Sequence, residues 1–346
     1  MKKFSFKNDY SEGAHPNILN ALLANNDSQE NGYGEDTFCQ DAIQMIRKTF
    51  DNPHASVFFV SGGTQANLCV IASLLKPFES VIAVESGHIC LHETGAIEAC
   101  GHRINSVFSA DGKLKAQQIQ NIFDDHQNDP PHMVKPKLVY ISNSTEIGTI
   151  YTKNELFEIY QTCQKNNLYL YIDGARLGSA LTSSKNDIKT DEILNLCDVL
   201  YIGGTKNGGL IGEAIVFKNP EMAKDFPFHL KQRGALLGKE RVFGIQFREF
   251  FNHNLYFELA KHANNMAEKL SLGIKNAGCH FLTESPSNQI FPILPNSVIE
   301  ELLKKYDFYI WAKIDEQNAA IRLVTSWATP ENKVDEFISD LTKFTE

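Results

Sequence analysis

The 346-residue sequence has no apolar run approaching the ~20 residues that a membrane-spanning helix needs. It has no cysteine pair at C-x-x-C spacing, no cluster of lysine and arginine, no internal repeat and no low-complexity tract. No membrane partner is therefore expected. The seven cysteines (Cys39, Cys69, Cys90, Cys100, Cys163, Cys197 and Cys279) are scattered, so neither a metal site nor a disulfide framework is indicated, and a reducing compartment is expected. Positive charge is also short: 33 Lys and Arg stand against 42 Asp and Glu, a formal −9, which argues against nucleic acid as a partner. The opening residues, MKKFSFKNDYSEG, carry two lysines with no apolar segment behind them. No secretory signal is expected from that, and the protein is read as cytoplasmic.

What is present is an ordinary globular composition, 42% apolar and 22% charged, with enough chain for one large domain and a smaller one. Short apolar runs at Ala55–Val60, Ser80–Glu85, Ile104–Ser109, Lys137–Ser142, Leu168–Asp173 and Asp198–Gly203 alternate with helical stretches such as Gln65–Lys76, Leu114–Gln127 and Asn154–Asn166. That pattern predicts an α/β fold with a mainly parallel, buried sheet flanked by helices. Beyond Phe217 the character changes to nearly continuous helix over Glu221–Ala277, interrupted by Pro227 and by glycines such as Gly234 and Gly238, then to a short alternating α+β region. The division expected is an irregular N-terminal arm over residues 1–30, a large domain over 31–245 and a small C-terminal α+β domain over 246–346.

In an open α/β sheet, ligands sit beyond the carboxyl ends of the strands, and four such ends carry suggestive residues. Ser61-Gly62-Gly63-Thr64-Gln65 opens a helix and offers free backbone N–H groups to an anion, although a plain glycine turn capped by Thr64 reads the same way. His88 follows Ser80–Glu85; a histidine there suits stacking on a flat ring or proton exchange, and alone it is a loop histidine. Asp173 ends an apolar strand, where a carboxylate needs a cation, with Arg176 three residues on. The plainer alternative has Asp173 capping the next helix and pairing with Arg176. Lys206 stands at the centre of a glycine-rich bend, GGTKNGG, between two apolar runs, the usual setting for a Schiff-base lysine. Phosphate anchor, ring face, pyridinium partner and Schiff-base amine are the parts of a pyridoxal phosphate site, and they occur here along one sheet edge.

The segments SGGTQAN, ESGH, IDGARLGSA and GGTKNGGLIGEAIVF, with KNDYSEG and NGYGED ahead of them, resemble the low-specificity L-threonine aldolases, fold-type-I pyridoxal phosphate enzymes close to the β-eliminating lyases. The resemblance implies a seven-stranded-type sheet in the large domain and pyridoxal 5'-phosphate as cofactor. It makes Lys206 the Schiff-base lysine, Asp173 the partner of the pyridine nitrogen and His88 the residue over the ring. Gly62, Gly63 and Thr64 would hold the phosphate, assisted by Thr205. Arg176 and Arg322 would clasp the substrate carboxylate, with the loop at Asn8 helping. It also implies a homo-oligomer, a dimer with shared sites or a tetramer, in which Tyr33 and a basic residue near Lys231 come from the neighbouring subunit. Two positions depart from the family: Asn8 replaces a serine, and Glu146 stands where several members have a histidine near the substrate hydroxyl.

The reaction implied is cleavage of β-hydroxy-α-amino acids to glycine and an aldehyde, with Glu146 or His88 as the base. The same residues also serve a β-eliminating lyase or an aminotransferase, and a non-catalytic protein on the same scaffold is the reading from another class.

Overall fold

The computed structural model describes residues 3–345. Seven strands form the central sheet: β1 (Ser56–Val60), β2 (Glu79–Val84), β3 (Ile104–Val107), β4 (Lys135–Ser142), β5 (Tyr169–Asp173), β6 (Val199–Gly203) and β7 (Glu213–Phe217). Their order is β1-β7-β6-β5-β4-β2-β3. Every neighbouring pair is parallel except those made by β7, which runs antiparallel to β1 and β6. Strands β2, β6 and β7 are buried at every position, as expected for a sheet covered on both faces.

The two-residue period sorts the strand side chains into two cores. Leu170 and Ile172 of β5 face one, with Val139, Ile141, Leu200 and Ile202 and the helices Thr37–Thr49 and Arg241–Phe251. Tyr171 of β5 faces the other, with Leu138, Tyr140, Val199 and Tyr201 and the helix α1 (Gly63–Leu74). A third core belongs to the C-terminal lobe. It packs Met266, Leu270 and Ile274, from the long helix α2 (Leu255–Asn276), against Ile321, Leu323, Phe337 and Leu341. The lobe's sheet is antiparallel throughout and centres on Asn318–Val324. Leu255, Tyr256 and Leu259 of α2 belong to the first core, so this one helix carries both lobes.

Three local features differ from the sequence expectation. Pro16–Ala24, read as irregular, is a helix with proline in its first turn and Ile18 buried. The stretch read as nearly continuous helix from Glu221 is five pieces, Pro220–Ala223, Phe226–Gln232, Arg241–Phe251, the 3₁₀ turn Asn252–Asn254 and α2. The gap before Arg241 holds the expected Gly234 and Gly238, while Pro227 sits in a first helical turn and breaks nothing. The last break falls at His253 and Asn254, whose positive φ of 52° and 65° no helix sustains. The N-terminal segment is ordered against the other end of the chain. Phe4–Ser5 pairs in parallel with Tyr306–Asp307, Val324 N–H donates to the Phe6 carbonyl at 2.8 Å, and Phe6 is fully buried in the third core. Among the described residues, no helix is long and apolar enough to cross a membrane.

Candidate active site

The parallel strands β1, β4, β5 and β6 end at one edge, and antiparallel β7 begins there. A cavity of about 310 Å³ opens at that edge. Of the residues singled out in the sequence, Gly62, Gly63, Thr64, His88, Glu146, Asp173, Arg176, Thr205 and Lys206 line it. Asn8, Tyr33, Lys231 and Arg322 do not.

Helix α1 starts at Gly63, with Gly62 as its N-cap and no side-chain cap. The cap is thus not Thr64. Uncapped first-turn amides and the positive helix end face the cavity, and a Cβ built on Gly62 would meet nothing within 4 Å, so the main chain is open to an anion. Lys206 lies on a single 3₁₀ turn, Thr205–Asn207, between β6 and β7. Two glycines with positive φ, Gly208 at 96° and Gly212 at 117°, close the bend, and Gly212 N–H donates to Thr205 Oγ1 at 3.2 Å. Asn207 anchors it through a 2.7 Å bond from Nδ2 to the Tyr256 carbonyl. The Lys206 amine has no hydrogen bond or ion pair among the described residues. Burial and the nearby Arg176 guanidinium hold its pKa below the ordinary lysine value.

Asp173, at the end of β5, is buried. Its Oδ2 accepts from Tyr140 Oη at 2.6 Å and Asn67 Nδ2 at 3.1 Å, and its Oδ1 from Ala175 N–H at 2.9 Å. All three donors are neutral, and among the described residues no cationic side chain pairs with it, because Arg176 is engaged elsewhere: its Nε and Nη2 bind Asp9 at 2.7 and 3.1 Å. The helix-cap alternative from the sequence is therefore replaced by a carboxylate with room for a cation. His88 Nδ1 lies 2.8 Å from Glu93 Oε1, and the His88 N–H donates to Glu146 Oε1 at 2.9 Å. Ser142 Oγ donates to the same oxygen at 2.6 Å, while Glu146 Oε2 is buried without a partner. Burial raises the Glu146 pKa.

These groups stand around one ring. Asn67 Nδ2 joins Asp173 to Glu93 Oε1 at 2.7 Å, Glu93 holds His88, His88 meets Glu146, and Ser142, whose single hydroxyl proton goes to Glu146, stands 3.3 Å from the Tyr140 hydroxyl, which returns to Asp173. Asn67, Glu93 and Tyr140 escaped the sequence reading. Glu93, five residues after His88, and Asn67, one turn beyond Gly63 in α1, carried the available signal in their spacing.

The remaining sequence candidates have other surroundings. Asn8 Oδ1 accepts from Tyr10 N–H and Ser11 Oγ, both at 3.0 Å, and so caps its own turn. Its neighbour Asp9, not singled out in the sequence, is the residue that reaches the arginine. Arg322 donates from Nη2 to the Lys7 carbonyl at 3.3 Å and lies 5.1 Å from the Tyr309 and Trp311 rings, with Nε buried and unpartnered. Lys231 Nζ sits 4.5 Å over the exposed Tyr33 ring.

The donor set fits pyridoxal phosphate: an uncapped helix terminus for the phosphate, a buried carboxylate lacking a cation for the pyridine nitrogen, and an unbonded buried amine for the aldehyde. Fold and site together define a pyridoxal phosphate enzyme. A model of the beta-eliminating lyases matches residues 10–307, and the chain belongs to that family. It is 32% identical over 345 residues to the low-specificity L-threonine aldolase of Pseudomonas sp. (strain NCIMB 10558), covering 97% of this chain and 96% of that one. A solved structure of Leishmania major threonine aldolase is 44% identical, with a TM-score of 0.97 over 99% of this chain and 100% of the other. Thermus thermophilus aspartate aminotransferase, at 14% identity, shares the fold with a TM-score of 0.71 over 99% and 91%.

Proposed function

We propose that the protein cleaves L-threonine, L-allo-threonine and related β-hydroxy-α-amino acids to glycine and an aldehyde. The observation that carries this reading is one cavity holding the unbonded Lys206 amine, the cation-free Asp173 carboxylate and the unpartnered Oε2 of Glu146. Similarity to the named threonine aldolases along almost the full chain supports it.

Bound pyridoxal phosphate supplies an electron sink for the bond that breaks at Cα. Lys206 would hold the cofactor through its amine, whose pKa burial and Arg176 depress toward the neutral form that a nucleophilic amine needs. Asp173 would hold a proton on the pyridine nitrogen, His88 would cover the ring face, and Gly62, Gly63, Thr64 and Thr205 would hold the phosphate. Arg176 and Arg322 receive the substrate carboxylate and so set which Cα bond is aligned for cleavage. Asp9 keeps Arg176 in place from behind. Glu146 Oε2 takes the proton of the β-hydroxyl, and its raised pKa brings it closer to the value useful to a general base at neutral pH. The active unit is a homo-oligomer, a dimer with shared sites or a tetramer, in the cytoplasm, with Tyr33 and Lys231 facing the neighbouring subunit's cavity.

The test is a product assay on the cofactor-saturated protein with L-threonine and L-allo-threonine. Equal acetaldehyde and glycine, lost in Lys206→Ala, is the expected result; ammonia without glycine would make the enzyme an eliminating lyase instead.

A further inference from the structure

One charged group in the cavity has no part in that scheme. Glu213 is the first residue of β7, the strand that runs against the rest, so it arrives at the edge where its neighbours end. It is paired in register with Val60, the last residue before Ser61-Gly62-Gly63, and with Gly203, at the root of the lysine turn. Its side chain lines the cavity but is only 4% exposed. Oε2 accepts the Gly204 N–H at 2.8 Å, and the hydroxyls of Tyr201 and Thr205 lie beside the carboxyl. Tyr201 in turn lies beneath the proposed phosphate cup: a Cβ built on Gly63 would stand 3.0 Å from its hydroxyl. Glu213 is thus one hydroxyl removed from the cup on one side, through Tyr201, and beside Thr205 of the lysine turn on the other.

The charges around it do not balance if a phosphate is added. The cavity lining contains three carboxylates, Glu146, Asp173 and Glu213, against Arg176 and Lys206. Arg176 is neutralised by Asp9 at 2.7 Å. The titratable groups facing Glu213 are Lys206 and Tyr201 from β6 and its turn, Tyr171 from β5 and Tyr256 from α2, with Asp173 as the other carboxylate beside Tyr201. These are groups of one chain, and the Lys231 proposed to face this cavity from the neighbouring subunit would add to them. A dianion in the cup would meet a buried anion across a water-poor gap, which is costly unless one of the two takes a proton.

We propose that a phosphate-bearing ligand binds this cavity together with a proton on Glu213, so that cofactor capture and protonation of this carboxyl are a single event. The inference rests on the reading of Ser61–Thr64 as the phosphate cup. Burial already pushes Glu213 up to about 7 without any ligand, so the proton costs little near neutrality. A protonated carboxyl can also donate a hydrogen bond toward Tyr201 or Thr205, whose hydroxyls are then free to turn to the phosphate.

The experiment compares pyridoxamine 5'-phosphate, which carries the phosphate but forms no Schiff base with Lys206, with pyridoxamine, on the whole protein across a pH series. By linkage, the phosphorylated ligand should lose up to about tenfold in affinity per pH unit above about 7, and pyridoxamine should not. Calorimetry in buffers of different ionisation enthalpy should report uptake of about half a proton with the phosphorylated ligand near that pH, rising toward one as the pH is raised above it. In Glu213→Gln both the slope and the proton uptake should vanish; if that variant does not fold, the wild-type uptake decides. Tight, phosphate-dependent binding with no proton uptake and no pH slope overturns the role of Glu213 and leaves the cup standing. Equal affinity for the two ligands overturns the cup, and this inference with it.

Discussion

On the wall of the cavity formed by β2, β4 and β5, the polar side chains stand one beside the next, from His88 through Glu93, Asn67, Asp173, Tyr140 and Ser142 to Glu146 and back. On the facing wall, formed by β6 and β7, the Lys206 amine is held by nothing but its backbone turn. The difference follows the work asked of each side. A face proposed to bind the ring must keep its geometry while charge moves through it, and a connected set of hydrogen bonds costs no reorganisation at that moment. A Schiff-base lysine must change partners during a turnover, so ties to its amine would oppose the exchange.

That contrast can be broken at either wall. The largest effect belongs to the mobile side: Lys206→Ala should reduce aldehyde release to background while leaving thermal stability near wild type, since no bond to the amine is lost. A large drop in melting temperature would show that the amine is anchored after all. On the fixed side, Glu146→Gln keeps the shape and the acceptor for Ser142 but removes the base. Its kcat should fall about 10²–10⁴-fold with a much smaller change in KM, read from steady-state kinetics of threonine cleavage. Equal losses in the binding of a non-reacting amino acid would place Glu146 in substrate recognition.

Asp9→Ala tests the clamp behind the cavity. It strands a buried guanidinium, a loss of about 3–5 kcal/mol by denaturant unfolding, and should raise KM through a misplaced Arg176. Burial alone would raise the Asp9 pKa, but Arg176 and Lys206 hold it below the ordinary 3.8. Its contribution to stability is therefore fully present above that value and is lost as pH falls through the lower, folded-state pKa. The wild type should accordingly lose more stability than the Ala variant when taken into that acid range. The smallest effect is expected from Asn67→Leu, which removes the amide between Asp173 and Glu93 and orphans the Tyr171 hydroxyl. A cost of about 1–3 kcal/mol is expected in thermal or denaturant unfolding. A cost within error would mean that the ring is held by its remaining members and that the contrast between the walls is weaker than drawn.

The sheet was legible because its strands are short, apolar and punctuated, and each of the seven runs, β7's Ala214–Phe217 among them, lies where an apolar stretch stood in the sequence. The cavity residues that follow a strand or lie on the glycine loop were legible for the same reason: His88, Asp173 and Lys206 take their places from strand ends, whereas Glu146 was pointed to only by the family resemblance. What the sequence hid are the partners that approach from elsewhere. Asn67 comes from inside a helix that reads as apolar all round, and Tyr140 and Tyr171 looked like core residues until their hydroxyls were placed. Asp9 meets Arg176 across 167 positions of chain. Glu213 was concealed by direction: only the antiparallel sense of β7 brings the start of a strand to an edge where ligands are sought at strand ends.

The arm that holds Asp9 also sets an order of assembly. Phe6 is gripped by a core made from residues near 270, 300, 320 and 340, and the backbone of residues 4–6 is bonded to Tyr306–Asp307 and Val324. As the chain emerges from the ribosome, its first segment has no docking surface until nearly the last helix has been synthesised. The sheet and the lysine turn can form well before then. Arg176 thus gains its counter-ion from a segment that is itself held by residues near 270, 300, 320 and 340, so the proposed grip on substrate depends on the C-terminal lobe although the arginine stands beside the large sheet.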